Sequence, residues 1–153
     1  MQQLGKALGF LAVFVILCGV FYAVLTQGST SPEQRQLGQT ALQFEIVRTA
    51  ASQEKGLSGR TSIPSNYGML FVFPEKGTYS FWMKDMLVPI DILWLDEDGT
   101  VLESIENVSP DTYPHTFTPP SPVRLVLEMK AGEANKHSFF VGTRVPLPNN
   151  WRK

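Results

Sequence analysis

Ala7 to Leu25 form nineteen consecutive uncharged, mostly apolar residues directly behind Lys6, and no other feature constrains the chain as strongly. A helix rises about 1.5 Å per residue, so about 20 apolar residues match a bilayer core of roughly 30 Å. In lipid every backbone N–H needs a partner inside its own segment, which favours a helix. The run therefore predicts one transmembrane helix over residues 7–25. Lys6 and the amino terminus are the positive groups before it, and positive flanks stay in the cytoplasm. Residues 1–6 are expected inside, and the chain beyond about residue 28 outside. A removed signal peptide is the alternative. The run exceeds an h-region of about 7–15 residues, and Val24-Leu25-Thr26-Gln27 offers no small-x-small cleavage pattern. An uncleaved signal anchor is the reading that follows. Cys18 is preceded by Val15-Ile16-Leu17, and Leu17 is bulky where lipoprotein acylation wants a small residue. It is read as a buried cysteine of the helix.

Cys18 is the only cysteine, so the domain beyond the membrane is expected to have no disulfide and to depend on its core. Residues 26–40 contain Gly, Ser, Thr, Pro and Gln with no apolar period and read as a flexible linker. Residues 41–153 are enough for one extracytoplasmic domain and too few for two. Net charge is −1 and no Lys/Arg run occurs, which argues against nucleic acid as a partner.

Leu42, Phe44 and Ile46 alternate with Gln43, Glu45 and Val47, the period of a strand. Thr49 suits the N-cap of a helix over Ala50 to Leu57, with Gly59 placed to end it. Gly68 to Phe73 reads as a buried strand, Pro74 to Gly77 as a turn, and Thr78 to Met83 as a resumed strand. Leu87 to Leu95 is a further apolar run, in which Pro89 belongs at a strand start, an edge or a bulge. Asp96 to Gly99 predicts a hairpin turn into Thr100 to Val108. Ser109 to Pro122 carries five prolines and reads as a long surface loop. Val123 to Met129 alternates as the clearest amphipathic strand. Ala131 to His137 suits a short helix, and Phe139 to Val145 a last strand. The expected fold class is mostly β (α+β): a compact β-barrel or rolled sheet with two short helices, behind one transmembrane helix.

Chemistry is sparsely signalled. His115 and His137 are the only histidines, short of the three protein ligands a catalytic zinc usually has. Asp96-Glu97-Asp98-Gly99-Thr100 begins like a calcium loop, but Asn107 stands at the twelfth position, where a bidentate Glu is required. Neither a metal nor another cofactor is expected. Ser58 lies in Gly56-Leu57-Ser58-Gly59-Arg60, which is not a nucleophile elbow. Asp85, Asp91 and Glu128 lie within or beside apolar segments, where a charge needs a partner or shifts its pKa. Arg60, Lys84 and Arg124 are the cations available to them. Structural ion pairs are the plainer reading, ligand binding the more specific one. Phe81-Trp82-Met83-Lys84-Asp85-Met86 sets aromatics beside fixed charges, as small-molecule pockets do. Core packing competes for Trp82 and accounts better for the two methionines.

Arg48-Thr49, Gly56-Leu57-Ser58-Gly59-Arg60, Gly68-Met69-Leu70-Phe71-Val72-Phe73, Phe81-Trp82-Met83-Lys84-Asp85 and Pro89-Ile90-Asp91-Ile92-Leu93 follow in one order, with Val126-Leu127-Glu128 and Ala131-Gly132 later. Together these resemble the bacterial and archaeal family known as domain of unknown function 192. The resemblance spans about Phe44 to Val145 and leaves out the anchor and linker. It implies a small mostly β fold, often exported, and no settled activity. Arg60, Trp82, Lys84, Asp85 and Asp91 occupy the polar and aromatic positions of the family signature. Asp85 departs from it, since Asn is more usual there, and a carboxylate cannot donate as an amide does.

Three functions are compatible with this reading. The first is a membrane-tethered domain at the periplasmic or outer face of the bacterial inner membrane, binding a small polar or glycan-like ligand of the envelope. Trp82 would be its platform, Arg60 and Lys84 its donors, and Asp85 and Asp91 its acceptors. The second is an envelope protein-interaction module, contacting a partner through a strand edge near Pro89 or through the Tyr113–Pro122 loop. The third is a hydrolase or lyase with Asp91 or Glu128 as base. The balance leans away from an enzyme.

Overall fold

The computed structural model describes residues 41–153. The expected membrane span over 7–25 and the linker over 26–40 lie outside the described residues. The alternation around Phe44 forms β1, Gln43–Val47, and Thr49 caps α1, Ala50–Lys55. Thr49 accepts from the Ser52 backbone N–H while the Ser52 hydroxyl accepts from the Thr49 N–H, so two otherwise unpaired helix-end donors are satisfied. The helix stops at Gly56, three residues before the glycine expected to end it, with φ +48 and ψ −134. Without a Cβ, Gly56 can reverse the chain where another residue would clash.

The chain returns as β2, Tyr67–Gly77, parallel to β1. Then come β3 (Phe81–Trp82), β4 (Ile90–Leu95), β5 (Val101–Val108), β6 (Thr116–Phe117) and β7 (Val123–Lys130), with α2 at Glu133–Lys136. The main sheet has the order β1-β2-β7-β4-β5, and every pair except β1–β2 is antiparallel. β3 and β6 pair separately. Pro89 stands immediately before β4, where its missing donor costs no ladder bond.

The mostly β reading with two short helices holds, but the barrel does not. β1 and β5 stay unpaired with each other, so the sheet is open. Closure is unnecessary because both faces are covered by other parts of the chain. On one face Met69, Phe71, Ile92, Trp94 and Val126 pack with Leu57, Phe81, Met83 and Met86. On the other, Leu70, Val72, Leu93, Leu95, Leu125 and Leu127 pack with Ala134, Phe139 and Trp151. Such burial explains why β7 is not amphipathic in its environment. As the central strand it is covered on both sides, and its alternation separates two cores rather than core from solvent.

Other expectations are corrected by local geometry. Pro74 to Gly77 continues β2 through a register shift between Val72 and Gly77 instead of ending it. The strand expected over Thr78 to Met83 is reduced to Phe81–Trp82. Phe139 to Val145 forms turns with one bridge, Thr100 to Arg144, because Ser138 (φ +59) and Gly142 (φ +87) break the extended run. The proline loop contains a 3-10 turn at Pro110–Thr112 as well as β6.

Candidate functional site

Glu128 occupies the middle of β7, opposite Met69 on β2 and Ile92 on β4. Strand alternation aims it at the face that carries Phe71 and Val126. Its neighbours in the sheet offer no charge, the residue is only 5 % exposed, and its Oε2 atom has no hydrogen-bond partner among the described residues. Burial pushes the carboxyl up to about 8, with the positive charge of Arg60 pulling the other way. At neutral pH Glu128 is therefore mainly an uncharged acid.

Over this carboxyl lies a cavity of about 480 Å³, walled by Phe71, Phe73, Tyr79, Phe81, Trp82 and Met86 and bordered by Gly56 and Ser58. A neighbouring hollow of about 460 Å³ shares Glu54, Lys55, Ser58 and Trp82 with it and adds Lys84 and Asp85. The two form one groove around Trp82. Two hydrogen bonds hold its walls together. The Ser58 hydroxyl donates to the Lys84 carbonyl at 2.8 Å, and the Gly59 N–H donates to the Asp85 carbonyl at 2.9 Å. Asp85 is left-handed at φ +57, a conformation Asn and Asp tolerate better than most residues. The turn leaves Trp82 45 % exposed, with Lys84 Nζ 5.8 Å from its ring centre and Tyr113 edge-on at 6.3 Å.

Of the five residues proposed from sequence to hold a ligand, Trp82, Lys84 and Asp85 line this groove. Arg60 is committed nearby. Its guanidinium meets Glu45 at 2.8 Å and donates to the Tyr67 hydroxyl at 2.9 Å, while Tyr67 in turn donates to Glu45. Burial and the bond to Glu45 push the Tyr67 hydroxyl up to about 12, and bonds from Tyr67 and Arg60 hold the Glu45 carboxyl below its ordinary value. Asp91 faces the opposite side of the sheet and is fully buried. It accepts from the backbone N–H groups of Asn107 at 2.8 Å and Ala134 at 3.0 Å. Both carboxylate oxygens thus tie β5 and α2 to the second core.

Glu128, weighed from sequence as an ion-pair member, a ligand-binding group or a base but not named among the five ligand-binding residues, is the floor of the groove. Gly56, Ser58, Phe71 and Tyr79 were not among the expected site residues. The Gly-Leu-Ser-Gly-Arg segment did signal a special turn, but nothing in it showed that β7 would pass beneath.

A profile of the DUF192 family, described as uncharacterized ACR, matches residues 33–147. A crystal structure of a candidate transcription regulator from Sinorhizobium meliloti 1021 is similar at 32% identity and a TM-score of 0.63, over 66% of this chain and 78% of that one. A protein of unknown function from Novosphingobium aromaticivorans DSM 12444 is similar at 30% identity and a TM-score of 0.63, over 68% of this chain and 74% of that one. Comparison with curated proteins gives no match.

Proposed function

The chain belongs to the DUF192 family, and we propose that its described domain binds a small polar, glycan-like ligand in the groove around Trp82. The observation that carries this reading is the exposed Trp82 ring standing beside a walled cavity whose floor holds Glu128, with an Oε2 atom unpartnered among the described residues. A large aromatic face with a few placed polar groups is what small-ligand sites are built from. Lys84 and the Asp85 carboxylate supply polar contacts at the rim, while Arg60 and Asp91 hold the scaffold. We place the domain at the outer face of the inner membrane, tethered by residues 7–25, where a linker would raise its effective concentration near envelope ligands. A regulatory role of the kind named for the Sinorhizobium protein fits a ligand sensor better than a nucleic-acid binder here, given the net charge of −1.

The test is titration of the full-length chain with neutral N-acetylated sugar fragments, read on the Trp82 indole resonance. Saturable shifts that disappear in Trp82→Ala are expected. The variant should stay within about 0.5 kcal/mol of the parent in stability, as for other exposed positions. No saturable shift, or unchanged affinity in Trp82→Ala, would reject the reading. A second reading, an acid–base hydrolase or lyase, rests on the raised pKa of Glu128. In that case Glu128→Gln should abolish turnover of the same fragments while leaving their binding intact.

A further inference from the structure

We propose, building on the binding reading above, that the cavity beneath Trp82 receives the ammonium group of a small amine, with Glu128 as its counter-ion. The geometry around Gly56 points there first. A Cβ placed on Gly56 would lie 3.5 Å from Glu128 Oε2, 3.8 Å from the Gln53 carbonyl oxygen and 3.4 Å from the Phe71 ring. The missing side chain thus keeps a methyl group from standing between two oxygen acceptors and an aromatic ring on this side of the cavity. An ammonium group only donates hydrogen bonds, so it matches two acceptors where a hydroxyl would match one. The cavity walls include Phe71, Tyr79, Phe81 and Trp82, and aromatic rings are side chains that can attract a cation. An anion would meet the Glu128 carboxyl instead.

The charges facing Glu128 leave this site short of a counter-ion. Met69 and Ile92, beside it on β2 and β4, are apolar. Arg60 pulls on Glu128 but is held by Glu45 and Tyr67. Glu54 and Lys55 on α1 border the cavity with opposite charges, Tyr79 contributes a phenol, and Lys84 stands outside on the Trp82 ring. An entering ammonium would favour the ionised form of Glu128, whose proton leaves to solvent. Binding and ionisation are then coupled.

Cyclohexylamine and cyclohexanol make the matched pair of probes, alike in ring and unlike in charge. The amine, like that of lysine, keeps its proton to about pH 10. Each is titrated into the full-length chain, with the Glu128 carboxyl and Trp82 indole resonances as readouts. The amine should saturate the site and drive the Glu128 resonance to its ionised position. Its affinity should rise about tenfold from pH 7 to pH 9, as the ionised fraction of a group titrating near 8 rises. Cyclohexanol should bind more weakly, with no such rise. Glu128→Gln should remove the preference for the amine and its pH dependence. Equal affinity for both probes, or an amine affinity that is flat with pH, overturns the inference and leaves the neutral-sugar test to judge the groove separately. Binding of neither probe also overturns it. Should Glu128→Gln fail to fold, the pH profile and the Glu128 resonance of the parent chain decide alone.

Discussion

Asp91 and Glu128 sit on neighbouring strands and look alike in the sequence, each a lone acid in an apolar run. Their surroundings make them opposites. Asp91 accepts two backbone N–H groups and belongs to the packing, whereas Glu128 has an oxygen with no partner among the described residues. Asp91→Ala would leave the buried Ala134 N–H and the part-buried Asn107 N–H without their acceptor, so it should cost about 2–5 kcal/mol in chemical denaturation. A loss under about 1 kcal/mol would contradict that role. For Glu128 the expectation concerns pH. Its folded pKa, about 8, lies above the ordinary value of 4.5, so between these the folded chain holds a proton that the unfolded chain has released. The resulting stabilisation is full below pH 4.5 and is lost as pH rises towards 8. Denaturation midpoints across that window should fall for the parent by the equivalent of a few kcal/mol, and stay nearer level in Glu128→Gln. Parallel profiles would show that Glu128 is not a neutral acid. The sequence revealed that these acids needed an explanation. It could not reveal which explanation each has, because that depends on the partners other strands bring.

At the scale of elements, the groove is made by two turns fastened to each other. Gly56 ends α1 and releases the chain towards Ser58 and Gly59, which bond to the carbonyls of Lys84 and Asp85. What position 85 requires is a left-handed backbone, and the groove bond it makes to Gly59 uses its carbonyl rather than its side chain. An Asp where the resemblance implies Asn therefore has a plain account, since both residues accept that conformation. Asp85→Asn should change stability by no more than about 0.5 kcal/mol and leave the Trp82 indole resonance in place. A larger loss would assign the carboxylate a contact of its own. Elements with a strong periodic or capping signal were legible: β1, α1 with Thr49, the start of β4 after Pro89, and β5 after its Asp-Gly turn. The run from Phe139 to Val145 was not. Phe139 and Val145 are buried where this turn packs against the second core, whereas Phe140 and Val141 are exposed.

At the scale of the molecule, one sheet separates two cores, and the candidate ligand groove opens on only one of them. The other is covered by α2 and the C-terminal segment, where Arg48 holds the backbone carbonyls of Asn150 and Trp151. This division explains why signature residues close in sequence serve different ends: Trp82 and Lys84 reach the groove, while Asp91 lies behind the sheet. The proposed tether makes a prediction of its own. The full-length chain should sediment with membranes and resist extraction by salt, whereas a chain beginning at residue 41 should stay in the supernatant. A full-length chain found in the supernatant would remove the tether from the proposal.

The sequence by itself determined the secondary structure wherever a period, a cap or a turn pair was strong, since these are local consequences of side-chain shape and hydrogen bonding. It also marked Trp82, Lys84 and Asp85 as belonging together, because they are adjacent in the chain. Only the tertiary structure decided that the sheet stays open, that Asp91 and Glu128 face opposite ways, and that Glu128 lies beneath the Gly56 turn. Those outcomes depend on strand order and register, which bring together residues more than seventy positions apart and leave no local trace in the chain.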